Sequence, residues 1–184
     1  MQVRGEPADR LPGEPDGYER LWTPHRMAYV TGADPAAKES PSGCPLCRAG
    51  AADDDAEALV VARGEESFVV LNLYPYNSGH LMVLPRRHVA DLTELDPTEA
   101  VELAELTTTA IRVLREVLSP QGFNVGMNLG DVAGAGIAGH LHQHVVPRWA
   151  GDTNFMPIVA RTKTLPELLG RTRERLAQAW PAGE

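Results

Sequence analysis

Residues 139–147 read Gly139-His140-Leu141-His142-Gln143-His144-Val145-Val146-Pro147, and the alternation inside this stretch decides how the chain is built. Side chains on a strand point to opposite faces in turn. His140, His142 and His144 therefore share one face, roughly 6 to 7 Å apart, and Leu141, Gln143 and Val145 share the other. The spacing predicts a strand from Leu141 to Val146, stopped by Pro147. Three imidazoles on one face are costly to bury without partners, so this is not an ordinary core strand. On residue types alone it suits two chemistries equally: a metal ligand set on a sheet, or an imidazole catalyst. Any one of these histidines taken singly would read as a hydrogen-bonded structural residue.

The segment before the strand, Gly130 to Gly139, is rich in Gly and Ala. Glycines let a backbone turn its amides inward and approach a ligand closely. Such a nest of N–H groups suits phosphate oxygens, and a nucleophilic imidazole beside it suits phosphoryl or nucleotidyl transfer. Residues 123–129 (FNVGMNL) read as another strand. Before them lies a helix: Asp96 is a good N-cap, Pro97 suits the first turn, and Glu99 holds the capping-box position. Val101, Ala104, Ile111, Leu114 and Leu118 recur along it at helical spacing, and Ser119-Pro120-Gln121-Gly122 ends it.

Further upstream, 58–62 (ALVVA), 67–74 (SFVVLNLY) and 80–84 (HLMVL) are apolar or β-branched runs separated by turn residues. They read as three strands of an antiparallel meander. The region from Pro166 to Trp180 reads as an amphipathic helix. Strands, then a helix, then strands give an α+β fold: an antiparallel sheet of about five strands, a long helix packed on it and a C-terminal helix. The expected organisation is a charged, Gly- and Pro-rich arm over 1–17 and a single domain over 18–184. Its core spans 44–160, with a helical tail over 165–180.

The chain has 184 residues, 43% of them hydrophobic, which is enough for one core without disulfide staples. Its formal net charge of −8 argues against binding nucleic-acid polymers, which needs clustered Lys and Arg, but not against a small phosphorylated ligand. No signal core and no long apolar run stands in the sequence, so a soluble, cytoplasmic protein without membrane association is expected. Asp53-Asp54-Asp55 reads as a solvated loop. Cys44-Pro45-Leu46-Cys47 is a Cys-x-x-Cys pair, which in that compartment reads as a metal knuckle or a redox motif rather than a disulfide.

His140-Leu141-His142-Gln143-His144-Val145-Val146 resembles the signature of the histidine triad family, His-φ-His-φ-His-φ-φ with φ hydrophobic. Gln143 departs from it at a position facing away from the histidines. The resemblance runs from about Cys44 to Ile158. It includes Leu71-Asn72-Leu73-Tyr74-Pro75, Gly79-His80-Leu81-Met82-Val83, Asn124-Val125-Gly126-Met127-Asn128 and Val146-Pro147-Arg148-Trp149. Leu21-Trp22-Thr23-Pro24 and Asn154-Phe155 extend the likeness to the actinobacterial branch of that family that contains diadenosine tetraphosphate phosphorylases.

The resemblance implies an enzyme of nucleotidyl transfer or hydrolysis, acting at the α-phosphate of a dinucleoside polyphosphate. His142 would be the nucleophile, and His144 would donate to phosphate oxygens. Asn72 would contact the nucleoside, unless it serves only its own turn, and His80 would sit near the site. Asn128 and the loop amides around Ala135 and Gly136 would hold phosphates. Trp149 would stack on adenine, or else cap the core or a subunit contact. The second acceptor would be water or inorganic phosphate. Gly136 stands where related phosphorylases carry Ser, which leaves a backbone amide in place of a hydroxyl. Some triad relatives bind structural zinc through such a Cys pair, a His after the third strand and the first triad His. Cys44, Cys47, His88 and His140 would be the ligands here, with no organic cofactor. Homodimers or larger assemblies are expected. The alternatives are a nucleoside phosphoramidate hydrolase, a low-turnover nucleotide-binding protein, or a catalytic metal held by the three histidines.

Overall fold

The computed structural model describes residues 43–152 and 166–182, and the five expected strands pair within it into one sheet. They are β1 (Val60–Arg63), β2 (Ser67–Leu71), β3 (Leu81–Pro85), β4 (Gly122–Met127) and β5 (Gln143–Arg148). The order is β1-β2-β3-β5-β4 and every pairing is antiparallel. β5, which follows the Gly/Ala loop, is thus inserted between the meander and β4. The expected arm over 1–17, Leu21-Trp22-Thr23-Pro24 and Asn154-Phe155 lie outside the described residues.

Three helices stand among the described residues: α1 (Pro45–Ala51), α2 (Pro97–Leu118) and α3 (Leu169–Ala179). None is long and apolar enough to cross a membrane. α2 and α3 cover one face of the sheet. Val69, Leu71, Leu81, Val83 and Val145 meet Leu103, Ala110, Val113, Leu114 and Leu176 there. The other face carries Val60, Phe68, Val70, Met82 and Leu84, which pack against Cys44 and Leu46. His144 pairs with Met82 in the β3–β5 register and so belongs to this second face, away from α2.

The start of α2 matches the sequence expectation: the Asp96 N–H donates to the Glu99 carboxylate at 2.8 Å. Its buried stripe matches in part: Leu114 is buried and Ile111 and Leu118 pack against the core, but the N-terminal half is rotated. Glu99, Leu103, Thr107, Ala110, Val113 and Leu114 face inward, whereas Val101 is 58% exposed and Ala104 is exposed. Polar partners set this rotation. The Gln143 side chain donates to Thr107 Oγ1 at 2.8 Å, and Glu99 is held by Arg87. Both bonds require the Glu99–Leu103–Thr107 row to face the sheet.

The strand ends also differ from expectation. β2 stops at Leu71 because Asn72 accepts the Tyr74 N–H on its side chain at 2.9 Å, turning the chain. β5 begins at Gln143 because the Leu141 N–H donates to Val89 O at 2.6 Å, outside any strand ladder. Pro147 does not stop β5. Its carbonyl accepts from Asn77, so its missing N–H faces away from β4 and costs that ladder nothing. Gly79, at φ +72°, makes the turn into β3. A Cβ there would stand 2.5 Å from Leu118 Cδ1, so glycine is what lets this turn approach the end of α2.

Arg87 grips Glu99 with two donors, Nε to Oε1 at 2.9 Å and Nη2 to Oε2 at 2.6 Å. Glu99 is 3% exposed, and the Arg87 hydrogen bond holds its carboxyl below the ordinary value. The folded value is the lower one, so the pair stabilises the fold above about pH 4.5 and loses that effect as pH falls through the folded value. Arg87→Met leaves the carboxylate without its cation and is expected to destabilise the fold near neutrality, an effect moderated by the half-exposed Arg87. Urea unfolding at pH 7 and pH 3.5 checks this. An equal loss at both values would show that the lost interaction is packing rather than charge.

Candidate active site and metal centre

The three histidines do not act as one set. His140 precedes β5, is fully buried, and turns its ring toward the N-terminus of α1. Its Nδ1 lies 3.5 Å from Cys44 Sγ and 3.3 Å from Cys47 Sγ, and the Cys47 Sγ to His88 Nδ1 distance is 3.2 Å. The four donor atoms of Cys44, Cys47, His88 and His140 lie within 4.8 Å of one another. His140 Nε2 donates to Pro85 O at 2.9 Å. A carbonyl can only accept, so the ring proton sits on Nε2 and the Nδ1 lone pair is directed at the sulfurs. Burial, then the neighbouring Cys44, pushes the Cys47 thiol up to about 11.

His142 is 6% exposed, and its Nδ1 donates to the His140 carbonyl at 2.7 Å. Its proton is fixed on Nδ1, which leaves the Nε2 lone pair available. Burial lowers its basicity, so the ring is neutral near pH 7. The His144 ring stands 5.0 Å from that of His142, nearly perpendicular to it at 83°. Burial, with His142 beside it, pushes His144 down to about 4.

His80, just before β3, orients His144. The Tyr76 N–H donates to His80 Nδ1 at 3.0 Å, so neutral His80 carries its proton on Nε2. That nitrogen donates to His144 Nδ1 at 2.9 Å, which places the His144 proton on Nε2. The two rings are thereby set in opposite tautomers. His142 presents a lone pair at Nε2, and His144 presents an N–H there. His80 itself is fully buried with both ring nitrogens engaged, so the structure places it behind His144.

A cleft of about 420 Å³ opens beside His144. Asn124, Gly126 and Asn128 from β4 and its end, Tyr76 and Asn77 from the turn before β3, and Val146, Arg148 and Asp152 line it. Of the residues expected to hold phosphate or nucleoside, Asn128 and His144 are on this wall. Asn72, Ala135, Gly136 and Trp149 are not: Asn72 serves its turn, Ala135 is buried, Gly136 is exposed, and Trp149 is half-buried. Asn128 donates to Gly134 O at 3.5 Å, which ties the Gly/Ala loop to the end of β4.

Sequence reasoning missed Arg148, Asp152, Asn77 and Asn124. Arg148 Nε donates to Asp152 Oδ2 at 2.6 Å and Nη2 to Oδ1 at 2.9 Å. Asn77 and the Trp149 N–H also donate to Asp152, at 2.8 and 3.1 Å. The Arg148 bonds, aided by the others, hold the Asp152 carboxyl down to about 2. The only signal for this network was the spacing of Arg148 and Asp152, which in an irregular segment has no periodic meaning.

A nucleophilic imidazole next to a fixed N–H donor is equipped for displacement at phosphorus, and the Cys/His cluster is equipped to hold a cation. A catalytic metal on the three histidines does not fit, because His140 faces the cysteines while His144 faces His80. The HIT domain family matches residues 54–151. A Mycobacterium tuberculosis protein named AP-4-A phosphorylase is 50% identical over 94% of this chain and 89% of its own. The Schizosaccharomyces pombe bis(5'-nucleosyl)-tetraphosphatase (asymmetrical) is 33% identical over half of each chain. Among solved structures, a zinc-bound histidine triad family protein from Mycobacterium smegmatis superposes with a TM-score of 0.59 at 29% identity, covering 76% of this chain and 96% of that one. With its five-stranded antiparallel sheet, its split triad and these relatives, the chain belongs to the histidine triad (HIT) family.

Proposed function

We propose that the protein transfers a nucleotidyl group from a dinucleoside polyphosphate of the diadenosine tetraphosphate kind through a covalent bond to His142. The carrying observation is the 2.7 Å bond from His142 Nδ1 to the His140 carbonyl, which frees Nε2. The Nε2 lone pair attacks the α-phosphorus as the bond to the bridging oxygen breaks. The departing nucleoside polyphosphate leaves with that electron pair. An oxygen of the second acceptor then attacks the same phosphorus and returns the lone pair to Nε2. His144 Nε2–H stabilises charge on the oxygens during both steps. Asn128 and the amides around Ala135 and Gly136 hold phosphate oxygens, Asn72 and Trp149 meet the nucleoside, and His80 supports His144.

The substrate class is supported by the names of the Mycobacterium tuberculosis and Schizosaccharomyces pombe relatives. The former's identity over nearly the whole chain favours phosphate as the acceptor, with ATP and ADP as products. Incubating diadenosine tetraphosphate with and without inorganic phosphate tests this. Phosphate-dependent ATP plus ADP is expected. AMP plus ATP at a rate indifferent to phosphate would make water the acceptor, and no cleavage at all would remove the reading.

Zinc fits the Cys44, Cys47, His88 and His140 cluster. Around a tetrahedral Zn²⁺ with bonds of about 2.3 Å to sulfur and 2.0–2.1 Å to nitrogen, the S···N edges are about 3.5 Å, close to the distances present. His140 already directs its lone pair inward, and two neighbouring thiols need a cation before both can ionise. Four protein ligands close the shell, so the metal is structural, and the Zn-bound relative supports that choice. The other face of this role is the nucleophile, because His140 carries the carbonyl that orients His142. A homodimer is the proposed assembly: β4 is a sheet edge among the described residues, and Val125 on it is 46% exposed.

A further inference from the structure

We propose that the cleft between β4 and the Tyr76–Asn77 turn receives the departing nucleoside polyphosphate, the part of the substrate beyond the attacked phosphorus. This rests on His142 as the nucleophile. His144 belongs to the cleft wall and His142 does not, so a substrate held at His142 Nε2 reaches the cleft by passing the His144 N–H. That is where the bridging oxygen acquires charge. No proton need follow it, since a polyphosphate leaves as an anion at pH 7.

Beyond the His144 N–H, the wall offers an oriented neutral donor at Asn124. Arg148 Nη1 donates to Asn124 Oδ1 at 2.8 Å, which fixes that amide with its NH₂ group pointing elsewhere. Among the described residues, no group accepts from that NH₂. Asn77 is locked the opposite way, with its NH₂ on Asp152 and Pro147 O and its Oδ1 accepting from the Ser78 N–H. Arg148 is itself balanced by Asp152, so the wall is close to neutral. A neutral wall binds a polyphosphate by hydrogen bonds and lets it go, as a departing product requires. Gly126 gives the room. It faces His144 across the β4–β5 ladder, and a Cβ there would meet nothing within 4 Å. A larger side chain would thus enter the cleft without disturbing the packing.

The test compares two substrates that deliver the same adenylyl group: diadenosine tetraphosphate, and adenosine 5′-phosphorofluoridate, whose leaving group is a single fluoride. Gly126→Val is expected to lower kcat/KM for the tetraphosphate at least about tenfold, with the fluoridate changed by less than about threefold. Asn124→Ala, which removes a donor and adds no bulk, is expected to shift the same ratio in the same direction. An equal fall for both substrates, or no change for either variant, would overturn the subsite. Loss of the His142 mechanism is distinguishable, since wild-type protein would then form no adenylyl adduct from the fluoridate.

Discussion

Glycine in place of His142 is expected to lower turnover of diadenosine tetraphosphate by about 10³-fold or more, with the fold intact. The side chain presents its free lone pair beside the His144 ring, and its tautomer is set by a main-chain carbonyl that the substitution does not alter. A general base could be replaced by water; a group that bonds to phosphorus cannot. Two readouts separate these roles. Intact-mass measurement after mixing with substrate should show an adenylyl adduct on the wild-type chain and none on His142→Gly. Added imidazole should enter the space left by the side chain and restore part of the activity, since it can attack phosphorus itself. An adduct that persists in the variant, or activity within tenfold of wild type, would assign the nucleophile elsewhere.

Cys44→Ser is expected to cost nearly as much stability as stripping the metal from the wild type. The cluster joins the start of α1 to the segment after β3 and to the entry of β5, sequence separations of 41 to 96 residues. A ligand present at a thousand times its dissociation constant stabilises the folded state by about 4 kcal/mol. For a chain of this size that corresponds to a shift in Tm of about 8 to 16 °C. Metal analysis should give one zinc per wild-type chain. A strong chelator should lower the wild-type Tm by that amount and leave Cys44→Ser nearly unmoved. Activity should fall less than stability, because zinc acts on His142 only through the His140 main chain. A wild type that contains no zinc, or that melts at the same temperature with and without chelator, would leave the cluster as a reduced thiol pair.

The strands of the meander, the capping of α2 by Asp96 and Glu99, and the inward face of β5 were legible because each depends on residues a few positions apart. Alternation placed Gln143 away from His142 and His144, and it lies there, bonded to Thr107. The limits of that legibility are visible in α2. Val101 and Ala104 fit a helical stripe as well as Leu103 and Thr107 do, and only the sheet chooses between them.

By itself, then, the sequence determined the class of fold, the run of histidines and the Cys pair, since these follow from local pattern and residue type; His88 and His140 joined that pair as metal ligands only through the resemblance to the histidine triad family. Tertiary structure decided what each histidine does. A ring's tautomer depends on what its other nitrogen meets, and those partners are a carbonyl two residues away for His142, the Pro85 carbonyl, 55 residues away, for His140, and His80, 64 residues away, for His144. The Arg148–Asp152–Asn77 network lay beyond the sequence for the same reason: hydrogen-bond geometry between two distant chain segments leaves no period to read.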